Sequence, residues 1–345
     1  MAHQPLQLGL LGVGAAVRKL HLPALAKLRD EIAIHAVWSR SPERARAFAD
    51  EVGAARVFAD HRELLADPAI EAVLVAVPIE HNASMAIDAI AAGKHVLAEK
   101  PIAADVAEAR RVLTACHATR RVVAIAENFR YRADILEAKR LIAAGVIGRV
   151  QCFQVTSVFD LLNEVRKVYI ESAWRKEPQH PGGLVVDAGV HAVAGLREIL
   201  GNVERVYAKL RNESPATSGA DGLVMQMDLS SGASGQYLAC YTAQTDRETV
   251  FELTVYGDGG TLWLTEGKVE YFSAATGKRT TWQAAPDRGY LGQWRNFLAA
   301  ARGQETIYST AQEAYGDLLV LERALESAVS GQSVTVEGYD WQPGG

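Results

Sequence analysis

The chain has 345 residues, with 36 Lys and Arg against 41 Asp and Glu, a formal charge of −5, and 49% hydrophobic residues. These values exclude collagen-like, disordered and small disulfide-stapled folds, and at roughly 100–200 residues per domain they favour two domains, each burying its own core. The mildly acidic total, with no basic run longer than Arg110-Arg111 or Arg120-Arg121, offers no footprint for nucleic acid or an anionic membrane, which leaves a small molecule as the expected partner.

Apolar runs at 6–11, 32–38, 72–77, 95–98 and 121–126 read as strands, and the alanine-rich stretches 16–28, 42–51, 82–92 and 105–119 between them carry helical spacing. This βαβ alternation with right-handed crossovers predicts an α/β N-terminal domain built on a doubly wound parallel sheet, a Rossmann fold. A helix over 134–144 follows. From residue 149 the texture changes: 150–159, 203–209, 222–229, 235–241, 249–256, 261–264 and 268–272 are short, β-branched or aromatic, and divided by glycine turns. Two late helices, 289–301 and 310–330, complete an α+β C-terminal domain with an open, mostly antiparallel sheet. The domains expected are 1–124 for dinucleotide binding and 125–345 for substrate binding and oligomerisation.

Cys116, Cys152 and Cys240 are odd in number, widely spaced and without a C-x-x-C pair, so they read as reduced thiols. No apolar run approaches the ~20 residues that cross a bilayer, and the stretch 6–17 lacks a basic leader and carries spaced glycines, so it reads as strand and turn. A cytoplasmic location is expected, where the N-x-S sequons at Asn82 and Asn212 carry no meaning. No His, Cys or Asp cluster has metal-ligand spacing, and no metal is expected.

After the first strand stands Gly12-Val13-Gly14-Ala15-Ala16-Val17, which matches G-x-G-x-x-G/A at its first two positions and departs from it at Val17. Gly12 permits the tight turn and Gly14 a close backbone approach to a pyrophosphate at the helix N-terminus, with Ala15 and Ala16 completing the turn. The second strand ends in Trp38-Ser39-Arg40-Ser41, where an acidic residue would ordinarily bond the ribose 2′-hydroxyl. Ser39 and Arg40 instead suit a 2′-phosphate, which favours NADP with NAD as the alternative; Arg40 stacking on adenine in either cofactor stays open.

Three clusters, Pro78 to His81, Gly93-Lys94-His95-Val96-Leu97-Ala98-Glu99-Lys100-Pro101, and Gly182-Gly183-Leu184-Val185-Val186-Asp187-Ala188-Gly189-Val190-His191, carry a resemblance over essentially the whole chain. The sequence resembles the Gfo/Idh/MocA family of glucose-fructose oxidoreductase, inositol dehydrogenase and MocA-like proteins. That resemblance implies that Lys100 of the E-K-P stretch touches both the nicotinamide ribose and the reacting hydroxyl, with Glu99 and Pro101 shaping its turn. It also pairs Asp187 with His191, four residues apart after a glycine pair. The implied cofactor contacts add Val77, Pro78, His81, Glu99 and Asn128. The E-N-F-R-Y stretch 127–131, with Asn128 and Tyr131, and the pair Trp174 and Arg175 resemble segments that line the family's substrate pocket, and His180 is a possible rim residue. Where the family often has an aspartate three residues after the histidine, this chain has Ala194.

The chemistry agrees with that assignment. Hydride leaving a carbinol requires its proton to leave too; His191 suits the base and Lys100 the cation beside the developing alkoxide. At i and i+4, Asp187 and His191 share a helix face. Taken singly, Lys100 reads first as a surface lysine, His191 as a core or surface histidine and Asp187 as a helix N-cap, and it is their joint occurrence in family order that favours the functional reading. Trp174 offers an apolar ring face, and Arg175 and Asn128 offer donors, to a hydroxyl-rich substrate such as a sugar or polyol. The function expected is an NAD(P)-dependent oxidoreductase acting on a secondary alcohol or ketone. An enzyme recycling a tightly held cofactor and a non-catalytic dinucleotide-sensing regulator remain as alternatives. The resemblance further implies a homodimer or homotetramer.

Overall fold

A computed structural model describes residues 4–164, 166, 170–178, 180–214, 217, 219–285 and 288–343. The chain divides into two compact units, the first made of Met1–Glu127, Tyr290–Tyr315 and Asp340–Gly345, the second of Asn128–Gly289 and Gly316–Tyr339.

The first unit holds β1 (Leu6–Leu11), β2 (Ile32–Trp38), β3 (Arg56–Phe58), β4 (Ala72–Val75), β5 (His95–Ala98) and β6 (Val123–Ile125). They form one parallel sheet in the order β3-β2-β1-β4-β5-β6, the doubly wound arrangement expected from the alternating pattern. Its central strands are buried on both sides: Leu8, Leu10, Leu11, Val73, Leu74, Val75, Val96 and Leu97 are inaccessible to solvent. Each such side chain contributes about 1.5–3 kcal/mol relative to an exposed one. The helix Pro42–Val52 starts on Ser41, whose side chain accepts from Arg44 N–H, and ends at Gly53 in the left-handed conformation. The stretch after the glycine turn is wound irregularly, as a π segment Val17–His21, an α turn Leu22–Leu25 and a 3₁₀ turn Ala26–Leu28. Val17, the departure from the fingerprint, is fully buried at the start of the π segment.

The short β3 and the helix His61–Ala66 were not predicted. A larger difference concerns the chain's end. The helix Tyr290–Ala301, expected with the C-terminal domain, belongs to the first unit, because Trp294, Phe297 and Leu298 pack in one core with Leu6, Leu8, Leu25 and Leu28.

The second unit contains β7 (Val150–Val158), β8 (Val203–Arg211), β9 (Gly222–Leu229), β10 (Ser234–Cys240), β11 (Thr249–Gly257), β12 (Gly260–Thr265), β13 (Lys268–Ser273), β14 (Lys278–Gln283) and β15 (Val334–Thr335). Their order is β14-β13-β12-β11-β7-β10-β9-β8-β15; only the β7–β10 pair is parallel, so the sheet is mixed and mostly antiparallel. Alternation along β9 buries Leu223, Met225, Met227 and Leu229 and exposes the residues between. The helix Gly183–Leu200 packs against β7 and β9.

Candidate active site

Because the first sheet is parallel, the segments after its strands emerge at one edge, and the predicted cofactor residues Gly12, Gly14, Ser39, Arg40, Val77, Pro78, Glu99 and Lys100 all follow the carboxyl ends of β1, β2, β4 or β5. Ala15 and Ala16 open the irregular helix after β1, and His81 lies exposed in the first turn of the helix Ile79–Ala91.

The two glycines of the turn are glycine for different reasons. Gly12 has φ +106°, and a Cβ there would collide with the carbonyl oxygen of Ala76. Gly14 has no such conformation, and a Cβ there would meet no protein atom within 4 Å. Nothing in the fold requires glycine at 14. The absence of a side chain keeps open the space beside the first-turn amides, whose N–H groups have no intrahelical acceptors, and that open space suits a pyrophosphate. The residues present therefore fit a dinucleotide. At the end of β2, Trp38 Nε1–H donates to Ala59 O at 3.1 Å, and Ser41 is occupied as the helix cap. Arg40 is exposed, and among the described residues no carboxylate pairs with it.

Lys100 follows β5 in a turn held from several directions. Lys100 N–H donates to Glu99 Oε2 at 3.1 Å, and Glu99 Oε1 lies 2.7 Å from His21 Nε2. The Asn82 side-chain amide donates to the Glu99 and Pro101 carbonyls, the latter at 2.9 Å, and the Lys100–Pro101 bond is cis. In the sequence alone Asn82 stands out only as the first residue of an N-x-S sequon. The available signal was its place on the buried stripe Ile79, Asn82, Ala83, Ala86, where a polar residue needs a partner. His21 belongs to no motif in the sequence; its signal is its place among Val17, Ala24 and Leu25 on the buried side of its segment.

In the second unit, the helix Gly183–Leu200 carries Asp187 and His191 on one face, as the spacing predicted. The N-cap alternative for Asp187 is corrected: the cap position is Gly182, φ +83°, and Asp187 lies inside the helix. Arg175 Nε–H donates to Asp187 Oδ2 at 2.6 Å, and its guanidinium stacks over the Trp174 ring at 4.0 Å. The Arg175 donor read from sequence as meeting substrate hydroxyls thus holds Asp187. His191 stacks on Phe129, with centroids 4.8 Å apart and planes at 19°. Phe129 belongs to the 3₁₀ turn Asn128–Tyr131, which brings Asn128 and Tyr131 to the His191 helix. Asn128 Nδ2–H donates to Arg288 O at 2.6 Å. Asn128, expected among the cofactor contacts, lies in the second unit.

Arg130 of the same stretch is buried in a charge network of the second unit. It is 2% exposed and pairs with both oxygens of Asp317, at 2.9 and 2.7 Å, and with Glu198 at 2.9 Å. His180 is buried, with Nδ1–H on the Pro181 carbonyl at 3.2 Å. A cavity of about 590 Å³ in the first unit, lined by Lys94, His95 and Arg121 among others, contains none of the predicted site residues.

A glycine turn left open to a ligand, at the carboxyl edge of a six-stranded parallel sheet, defines a dinucleotide-binding protein. Residues 6–127 match the family model described as "Oxidoreductase family, NAD-binding Rossmann fold", and residues 139–336 match that of "Oxidoreductase family, C-terminal alpha/beta domain". The chain belongs to the Gfo/Idh/MocA oxidoreductase family. It is similar to 1,5-anhydro-D-fructose reductase of Ensifer adhaerens, at 30% identity over 74% of each chain. It is also similar to D-xylose 1-dehydrogenase (NADP(+)) 2 of Haloferax volcanii, at 27% identity over 95% of this chain and 99% of that one. The crystal structure of an oxidoreductase from Thermotoga maritima superposes with a TM-score of 0.89 at 31% identity, covering 97% of this chain and 99% of that one.

Proposed function

We propose that the protein is an NAD(P)-dependent dehydrogenase or reductase that interconverts a secondary alcohol and a ketone on a sugar, polyol or related cyclic substrate. The observation that carries this reading is the placement of Lys100 at the same sheet edge as the open Gly14 turn. The nicotinamide ring, when bound, accepts or supplies the hydride. The Gly12–Ala16 turn holds the pyrophosphate, and Arg40 with Ser39 takes a 2′-phosphate, which favours NADP. His191 accepts the carbinol proton at its imidazole, and the Lys100 ammonium lowers the energy of the developing alkoxide. Asp187, held by Arg175, and Asn128, Tyr131 and Trp174 bind and orient the ring. The family membership and the sugar-acting names of relatives support the substrate class. Free thiols at Cys116, Cys152 and Cys240 support a cytoplasmic setting. A second copy of the chain covers the sheet face that leaves Val224, Leu238, Tyr256 and Phe272 exposed, giving a homodimer or homotetramer.

The test is a panel of polyols and keto sugars followed by nicotinamide absorbance, with both dinucleotides titrated separately. Lys100→Ala and His191→Ala are expected to lower kcat by roughly 10²–10⁴-fold while dinucleotide affinity stays near wild type. Wild-type turnover in both variants overturns the assignment.

A further inference from the structure

We infer that Trp294, His21 and Glu99 form a buried relay that positions the Lys100 turn, so that the helix returning to the first unit at 290–301 serves the reaction as well as the core. The inference rests on the role proposed for Lys100. Trp294 Nε1–H donates to His21 Nδ1 at 3.1 Å, His21 Nε2 meets Glu99 Oε1 at 2.7 Å, and Lys100 N–H donates to Glu99 Oε2 at 3.1 Å.

The direction of this chain is set by chemistry. An indole N–H only donates, so His21 Nδ1 accepts and bears no proton. The ring is therefore the neutral imidazole with its hydrogen on Nε2, aimed at the Glu99 carboxylate. His21 and Trp294 are both fully buried, and Tyr290 and Trp294 sit edge-on to the imidazole at 5.3 and 5.8 Å, which fixes its plane. One carboxylate oxygen is thus tied to a rigid ring and the other to the Lys100 backbone. Asn82 clasps the carbonyls on either side of Lys100. A lysine stem is flexible, so its ammonium is placed reproducibly only where the Cα is held. His21 lies in the irregular helical segment opened by the Gly14 turn, and so the segment that receives the pyrophosphate also holds the lysine turn.

The test compares His21→Leu, which severs the relay, His21→Gln, whose Oε1 can accept from the indole while Nε2–H donates to Glu99, and Trp294→Phe, which removes only the donor. With His21→Leu, kcat is expected to fall roughly 10- to 100-fold, as small misplacements of a reacting group do, with dinucleotide Kd within about threefold of wild type and His21→Gln recovering most of the loss. In a Lys100→Ala background, His21→Leu is expected to cost nothing further, a non-additivity that mere loss of packing would not give. Nitrogen NMR of histidine-labelled protein should show His21 with a bare Nδ1 and a protonated Nε2. Trp294→Phe keeps the fold testable should His21→Leu not accumulate, and is expected to lower kcat by a smaller factor. Wild-type kcat in both His21→Leu and Trp294→Phe, full additivity with Lys100→Ala, or a doubly protonated ring overturns the relay. Wild-type turnover in Lys100→Ala instead overturns the role of Lys100 itself, and so the two failures are separable.

Discussion

Gly12 and Gly14 look alike in the motif and have opposite constraints in the fold. At Gly12 a side chain is excluded by a left-handed φ and by the Ala76 carbonyl, both internal to the protein. At Gly14 only a ligand would object. Gly12→Ala is therefore expected to lower the melting temperature markedly. Gly14→Val should leave it within a few degrees, at most a modest β-branched propensity cost, while weakening dinucleotide binding by at least about tenfold. Calorimetry alongside a fluorescence titration separates the two, and equal loss of stability in both variants would contradict the distinction. The candidate residues themselves were legible because glycine turns, E-K-P and the Asp187–His191 spacing are local in sequence. What holds them was not legible: Trp294 and His21 are 273 positions apart, and only the folded core shows that they meet.

At the level of elements, the strands that read correctly from sequence are those with a buried face, such as β1, β2 and β9, whose apolar runs or alternation reflect what they pack against. Those that escaped are edge pieces: β3 pairs on one side only, β14 is mostly exposed, and β15 has two residues. An amphipathic pattern announces a helix but not its partner: Tyr290–Ala301 follows the C-terminal strands in sequence, yet packs in the core of the first unit. Charge pairing between elements is equally silent in sequence. Asp317, on the helix Ala311–Ser330, binds Arg130 of the Asn128–Tyr131 turn and Arg197 of the helix Gly183–Leu200, while Glu198 takes Arg130 and, at 2.5 Å, Lys139. All but Lys139 are buried. Removing one charge strands the others in a poorly solvated interior. Asp317→Ala is expected to destabilise the protein by about 3–5 kcal/mol in urea denaturation, whereas a loss under about 1 kcal/mol would place the network in effective contact with water.

Across the whole molecule, the shifted ionisations all but agree in sign at each end of the pH scale, which makes stability against pH a test of the fold as a unit. Below neutrality, burial and then Arg121 lower the His95 pKa from 6.5, so folding favours its neutral form and stability is lost as pH falls through that value. The Ala69 amide and Arg56 hold Asp67 below 3.8, and Arg166 and Lys268 hold Glu248 and Glu270 below 4.5; their contribution, present above those values, disappears on further acidification. Above neutrality, burial pushes the Cys116 thiol from 9.0 to about 12 and raises the Tyr237 and Tyr241 hydroxyls above 10.0, so unfolding is favoured as pH climbs past 9.0. Lys94 runs the other way: burial lowers its pKa from 10.5, and losing its proton relieves the folded state. Its shift offsets part of the alkaline loss that Cys116, Tyr237 and Tyr241 produce. The melting temperature is therefore expected to peak between pH 6.5 and 9.0 and fall on both sides. Cys116→Ala should flatten the first part of the alkaline limb without moving the acid one, and an unchanged limb would show that the thiol is open to solvent in the folded protein.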